Sequence, residues 1–184
     1  MHARNLKYRI PGAELAAVSD IMEEAARSVA KELAIPVVET DYRKLLERDD
    51  IDGVVICSPT GTHAQITEEA AAEGKHIFCE KPIALEIDRT EKALAAVKEA
   101  GVKLQVGFNR RFDPSFNKAQ RLIKSGEIGT PHIVRITSRD PGPPPIAYVK
   151  SSGGLFLDMM IHDFDMARFL LSDDVSELMA YGDC

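Results

Sequence analysis

The sequence predicts an α/β protein in which an incomplete, Rossmann-like doubly wound parallel sheet is followed by the start of a second α/β (α+β) domain. Short apolar runs and helical segments alternate with little interruption from residue 14 to residue 108. The apolar runs are continuous rather than alternating, which is typical of parallel strands covered by helices on both faces. Alternating strands and helices imply right-handed crossovers and hence a doubly wound sheet.

The elements of the first part follow in order. Five strands are predicted at 14–18, 36–38, 53–57, 76–79 and 103–108, after what reads as the end of a helix at 2–10. Helices are predicted between them at 21–34, 42–48, 63–73 and 88–100. Gly74 and Gly101 stand where helices end, and Asp41 and Asp88 stand where helices begin. These residue types are preferred at those positions, so they support the predicted bounds.

The character of the chain changes after Phe108. A helix is predicted from 109 to about 125, strands at 131–139 and 175–181, and a second helix within 153–169. Residues 140–145 contain four prolines and read as a stiff loop. We therefore expect two domains, 1–108 and 109–184.

Composition excludes several classes of protein. The 184 residues include 23 Lys plus Arg and 29 Asp plus Glu, a formal charge of −6, which argues against nucleic-acid and membrane partners. No apolar run approaches the roughly 18 residues needed to cross a bilayer, and no signal peptide is evident, so a cytoplasmic location is expected. The three cysteines, Cys57, Cys79 and Cys184, lack a CxxC pattern. We expect reduced thiols, with Cys57 and Cys79 buried, and no metal site.

The segment 153–169 carries the strongest chemical signal. Asp158, His162 and Asp165 recur at i, i+4 and i+7 in an otherwise apolar stretch, so they share one face of an α-helix. A helix that is apolar on its other sides is expected to be largely buried, where carboxylates and imidazoles are costly unless paired or used. A carboxylate beside a histidine suits proton transfer at neutral pH. The alternative is a core histidine that an aspartate one turn away satisfies.

Polar residues also follow three of the predicted strands. Asp20 follows the first strand, where an acidic residue of a dinucleotide-binding fold accepts hydrogen bonds from the adenosine ribose. The negative charge of Asp20 would also repel a 2′-phosphate, and no Lys or Arg stands at 21 or 22 to bind one. NAD is therefore favoured over NADP. Alternatively, Asp20 caps the following helix.

The turns after the third and fourth strands offer further candidates. Small residues between Ser58 and His63 would let a cofactor approach the backbone, although a plain strand-to-helix turn has the same composition. Lys81, within Glu80-Lys81-Pro82, lies at the carboxyl edge of the predicted sheet, where it could stabilise negative charge on a substrate oxygen. A cis bond at Lys81–Pro82 is possible, and a surface lysine is the alternative. The candidate cofactor-binding residues are Asp20, Ser58, Pro59, Thr60, His63, Glu80 and Lys81.

Taken together, these residues resemble the Gfo/Idh/MocA family of oxidoreductases, over essentially the whole chain. The resemblance rests on Glu80-Lys81-Pro82, on residues 107–113 (GFNRRFD), and on Gly153-Gly154 followed by Asp158 and His162. Residues 137–145 and 156–165 are similar to the inositol dehydrogenase branch in particular. The resemblance implies a Rossmann domain followed by an α/β domain for substrate binding and oligomer contacts.

The resemblance also implies roles for individual residues. It places the catalytic lysine, aspartate and histidine at Lys81, Asp158 and His162, which also contact substrate, and the ribose-binding acid at Asp20. Asp140 resembles a residue that contacts polyol hydroxyls. The implied reaction is NAD-dependent oxidation of a secondary hydroxyl of a cyclic polyol, in particular myo-inositol. The alternatives are an NADP-dependent sugar reductase of the same family and a non-catalytic Rossmann-like sensor.

The resemblance leads to one further expectation, about the extent of the chain. The sequence contains no G-x-G-x-x-G, and no strand precedes the helix predicted at 2–10. A dinucleotide-binding domain has both features at its start. We therefore expect a fragment of a longer protein, inactive or nearly so by itself, whose full-length parent is a homotetramer.

Overall fold

In a computed structural model that describes residues 1–182, the chain divides into two compact units. They comprise Met1–Val106 and Gly107–Cys184. No helix of the described part, residues 1–182, is both long and apolar enough to cross a membrane.

The first unit contains two parallel sheets, one of two strands and one of three, with helices between the strands. The strands are β1 Ala17–Ser19, β2 Val37–Glu39, β3 Gly53–Ile56, β4 His76–Cys79 and β5 Leu104–Val106. The helices are α1 His2–Arg9, α2 Glu23–Leu33, α3 Arg43–Leu46, α4 Thr60–Ala72 and α5 Ile87–Ala100. Among residues 1–182 every strand pair is parallel, with β1 paired to β2 in one sheet and the strand order β3-β4-β5 in the other. The predicted α/β fold is confirmed.

Apolar side chains of the strands and small residues of the helices form the core. Ile56 of β3 and Ile77 and Cys79 of β4 pack with Ala70 of α4 and Val97 of α5. Burial raises the pKa of the Cys79 thiol to about 11, so this cysteine stays protonated. Small side chains such as Ala70 let α4 lie close to the sheet. The start of α4 lies near the carboxyl end of β3, because only residues 57–59 separate the two elements.

The second unit is helical in the described residues. A 3₁₀ turn, Asn109–Phe112, leads into α6 Pro114–Lys124, and α7 Ile146–Val149, a π-helix Leu155–Met160 and α8 Ile161–Leu171 follow. Asp113 caps α6, because its carboxylate accepts hydrogen bonds from the amides of Ser115 (2.8 Å) and Phe116 (3.2 Å). Pro114 occupies the first helical position, where its missing amide hydrogen costs nothing.

Four expectations about local structure are wrong. The segments 131–139 and 175–181 are irregular, because a strand needs a ladder partner and neither has one among residues 1–182. The helix within 153–169 is not largely buried, since Met166 alone among the residues of α8 is buried and Phe156 is 52% exposed. Cys57 is exposed rather than buried, because it lies just beyond the end of β3. Cys184 lies outside the described residues.

Candidate active site

In the first unit, the turns after β3 and β4 are tied together at the carboxyl edge of the sheet. The amide of Glu80 donates to the carbonyl oxygen of Ile56, at 3.0 Å. Ser58 and Thr62 share a hydrogen bond of 2.6 Å between their hydroxyls, which joins the turn before α4 to the first turn of that helix. The bond between Lys81 and Pro82 is cis. The Glu80–Ile56 hydrogen bond thus brings the Glu80–Pro82 segment next to Ser58 and Pro59, which precede Thr60 at the start of α4.

His63 makes the tightest connection between these two loops. Its Nε2 lies 2.7 Å from the carbonyl oxygen of Ser58, and its Nδ1 lies 2.8 Å from the carbonyl oxygen of Pro82. The side chain is 2% exposed. A direct contact of His63 with a cofactor, as the sequence predicts, would require one of these hydrogen bonds to break.

Glu80 has a partner that the sequence did not indicate. Its Oε1 lies 2.6 Å from Nε2 of His2, and the His2 ring also packs at a tilt on Phe78, with 5.3 Å between ring centroids. These contacts hold the start of α1 at the end of β4. Glu80 is therefore committed to a contact with α1 in this structure, and its predicted contact with a cofactor stays a prediction.

Asp20 follows β1, in the two-stranded sheet, and is exposed. One carboxylate oxygen accepts a hydrogen bond of 2.8 Å from the amide of Met22, just before α2 begins. This bond fixes the carboxylate at the carboxyl edge of the sheet, where dinucleotides bind in folds of this kind. An exposed carboxylate in this place fits a ribose diol, which offers two hydroxyl donors. The helix-start role and the ribose role are compatible.

In the second unit, Asp158 lies within the π-helix and is partly buried. Its Oδ1 accepts a hydrogen bond of 2.8 Å from the hydroxyl of Tyr148. That hydrogen bond, together with partial burial, raises the pKa of Tyr148 above its ordinary value. Tyr148 therefore remains a donor at neutral pH and orients the carboxylate of Asp158. No local sequence pattern indicates this role for Tyr148, which lies in an otherwise apolar four-residue helix.

His162 follows on α8, and its ring meets the ring of Phe108 edge-on, with 6.4 Å between centroids and 87° between planes. Asp165, which the α-helical spacing placed on the same face, is bound by Arg111, whose Nε lies 2.8 Å from Oδ2. The π-helix changes the angular spacing before residue 161, so a face argument based on 3.6 residues per turn does not hold across that junction.

A second arginine–aspartate pair fixes the other side of α8. Arg110 Nη1 donates to Asp163 Oδ1 at 2.6 Å, and the hydroxyl of Ser138 donates to the same oxygen. Arg110 and Arg111 belong to the GFNRRFD motif on which the family resemblance rests, but the resemblance implies no role for either residue. Two adjacent arginines after a strand, with two aspartates in a nearby helix, were the available signal. Both pairs position the helix that carries His162.

Asp140 lies in the irregular segment between α6 and α7 and is exposed. Its predicted contact with polyol hydroxyls stays a prediction. Within residues 1–182, no cluster of three or more His, Cys, Asp or Glu side chains has the arrangement of a metal site.

The chain is similar to known oxidoreductases over nearly its whole length. Residues 1–108 match the oxidoreductase family with an NAD-binding Rossmann fold, and residues 116–184 match the GFO/IDH/MocA C-terminal domain. The chain is 54% identical to the uncharacterised oxidoreductase YrbE of Bacillus subtilis, covering 99% of this chain and 53% of that protein. It is 44% identical to a myo-inositol 2-dehydrogenase of Thermotoga maritima, covering 99% and 54% respectively.

A solved structure extends the comparison. The scyllo-inositol dehydrogenase of Lactobacillus casei, with bound NAD(H) and scyllo-inositol, superposes with a TM-score of 0.83 at 38% identity, covering 93% of this chain and 52% of that one. The chain thus spans about half the length of the relatives it matches. By the match of both family domains to its sequence, the chain belongs to the GFO/IDH/MocA family of oxidoreductases.

Proposed function

We propose that this chain carries the reactive residues of an NAD-dependent dehydrogenase that oxidises a secondary hydroxyl of an inositol-type cyclic polyol. The observation that carries the proposal is the pair Asp158 and His162 at the junction of a π-helix and an α-helix, with the Asp158 carboxylate oriented by Tyr148. Single π-helical turns occur frequently at functional sites. The names of the relatives, which include myo-inositol and scyllo-inositol dehydrogenases, support the substrate class.

Each residue has a proposed role in the oxidation. His162 accepts the proton of the hydroxyl group, a task for which an imidazole is suited near neutral pH. Asp158 stabilises the positive charge that develops on that imidazole or orients a neighbouring hydroxyl. Lys81 stabilises the negative charge that develops on the substrate oxygen. NAD, when bound, supplies the acceptor for the hydride that leaves the carbon. Asp140 is proposed to contact further hydroxyl groups of the substrate.

The proposed cofactor contacts are Asp20 with the adenosine ribose and Ser58, Pro59, Thr60 and Glu80 at the turns after β3 and β4. The position of Asp20 at the end of β1 supports NAD over NADP. The division into a nucleotide-binding domain, 1–108, and a partial substrate domain, 109–184, is part of the proposal, and so is a tetrameric parent in the cytoplasm.

A segment exchange tests the proposal. The chain matches 182 residues of the Thermotoga maritima enzyme, so it can replace that segment within the longer protein. We expect the chimera to reduce NAD in the presence of myo-inositol or scyllo-inositol. His162→Ala should lower kcat about 10²–10⁴-fold, the usual contribution of a general base, and leave NAD affinity nearly unchanged. The measurements are NADH absorbance and calorimetric NAD binding.

His132→Ala is the matched control, since His132 lies in an irregular segment and has no proposed role. Unchanged turnover in the His162→Ala chimera would remove His162 from the mechanism. Binding of NAD without turnover by the unmodified chimera would favour the sensor alternative. Equal turnover with NADP would contradict the role given to Asp20.

A further inference from the structure

His63 is a buried histidine whose surroundings are satisfied by only one protonation state. Both ring nitrogens lie at hydrogen-bond distance from backbone carbonyl oxygens, Nε2 from Ser58 at 2.7 Å and Nδ1 from Pro82 at 2.8 Å. A carbonyl oxygen accepts hydrogen bonds and cannot donate them. A neutral imidazole carries one N–H and one lone pair, so it can satisfy only one of the two oxygens.

The hydrogen-bonding geometry favours a proton on each nitrogen. A neutral ring would leave a lone pair facing a carbonyl oxygen in a buried place, which is unfavourable. A protonated ring donates two charge-assisted hydrogen bonds, which are stronger than hydrogen bonds between neutral groups. Burial of the charge and the positive end of the α4 dipole both oppose protonation, so both hydrogen bonds must form for the charge to persist.

The two carbonyl groups belong to the loops that carry candidate site residues. Ser58 lies two residues beyond β3, and Pro82 directly follows Lys81. We propose that His63 is a doubly protonated clamp that joins these loops and thereby positions Lys81. The significance of Lys81 rests on the proposed function, whereas the protonation state of His63 does not. Charged side chains on the two segments 58–68 and 80–89, which carry the ring and the Pro82 acceptor, are Glu68, Glu80, Lys81, Glu86, Asp88 and Arg89.

Long-range proton–nitrogen NMR of the histidine rings tests the protonation state in the unmodified chain near neutral pH. We expect both ring nitrogens of His63 to give the chemical shifts of protonated nitrogens. His76 is an internal control, because its Nδ1 accepts a hydrogen bond of 3.2 Å from the amide of Lys103 and so must be unprotonated. The proposal is overturned if one nitrogen of His63 has the shift of a lone-pair nitrogen.

A pair of variants tests the positioning role. His63→Leu fills much of the same space but donates nothing, so the amide signals of Lys81, Ile83 and Ser58 should shift while those of β1 and β2, in the other sheet, stay in place. His76→Leu should leave the signals of Lys81 and Ser58 unchanged. Unshifted signals for Lys81 and Ser58 in His63→Leu would show a space-filling ring and overturn the clamp.

Neither NMR experiment depends on turnover, so failure of the clamp and failure of the proposed dehydrogenase are distinguished. If His63→Leu does not fold, the ring spectrum of the unmodified chain still decides the protonation state. If the His63 ring is protonated but the chimera lacks dehydrogenase activity, the clamp proposal stands and only the catalytic role of Lys81 is rejected.

Discussion

The partly buried hydroxyl group of Tyr42 makes the stability of the fold depend on pH. Its hydroxyl donates to Glu69 Oε2 at 2.8 Å, joining the start of α3 to α4. Burial, the hydrogen bond to Glu69 and the charge of Glu69 raise the pKa of Tyr42 to about 12, above its ordinary value of 10. Between these two values the unfolded chain releases this proton while the folded chain keeps it.

The resulting stability is therefore complete below about pH 10 and is lost as the pH rises through about 12. We expect Tyr42→Phe to be less stable than the unmodified chain near neutral pH, by about 1 kcal/mol. The difference should shrink as the pH rises from 10 to 12. Urea unfolding at several pH values measures it, with Tyr8→Phe, at an exposed tyrosine, as the control. A difference that is independent of pH would contradict the assignment.

Single residues differ in how far the sequence reveals them. Asp158 and His162 can be recognised from the sequence alone, because they are polar side chains within an apolar run. The two acceptors of His63 come from residues 5 behind and 19 ahead in the chain, so no local pattern reports them. The same reason hides the pairing of Arg111 with Asp165, 54 residues away.

At the scale of elements, the 3₁₀ turn Asn109–Phe112 anchors α8 through its two arginines. Arg111 binds Asp165, whose side chain is 8% exposed, and its guanidinium also lies over the rings of Phe108 and Phe169. Arg168 binds Asp174 with similar geometry, but the Asp174 side chain is 82% exposed. Water therefore competes well with Arg168 for the exposed Asp174 carboxylate, but poorly with Arg111 for the buried Asp165 carboxylate.

We therefore expect Arg111→Met to lower the free energy of unfolding by about 2–4 kcal/mol, since a buried carboxylate loses its partner and two ring contacts disappear. Arg168→Met should cost about 0.5 kcal/mol or less. Chemical denaturation followed by circular dichroism compares the two variants. Equal losses would show that the Arg111 pair does not hold α8 in place.

Strands can be predicted from local sequence patterns where each predicted strand also has a neighbouring strand to pair with. The strands of the first unit are readable because each apolar run has a parallel neighbour, as in the register of Val54 with Ile77. The segments 131–139 and 175–181 have strand-like composition, yet composition cannot supply the ladder partner that defines a strand. The π-helix is equally hidden, because its hydrogen-bond spacing leaves no mark in apolar periodicity.

At the scale of the whole chain, the exposed apolar side chains determine whether the molecules associate in solution. Many lie in the irregular segments of the second unit, including Ile133 at 89%, Leu178 at 80% and Tyr181 at 92% exposed. Exposed apolar surface of this kind favours association between molecules. The formal charge of −6 opposes association only weakly at physiological salt, where charges are screened beyond about 8 Å.

We therefore expect the purified chain to self-associate as its concentration rises, and to bind a fluorescent dye that reports exposed apolar surface. Ile133→Lys should weaken the association, since it adds charge where an apolar side chain is exposed. Ile87→Lys, at a site 76% exposed in the first unit, is the matched control and should have a smaller effect. Light scattering coupled to size exclusion measures the mass at each concentration. A constant monomer mass over the whole range would show that these side chains do not drive association.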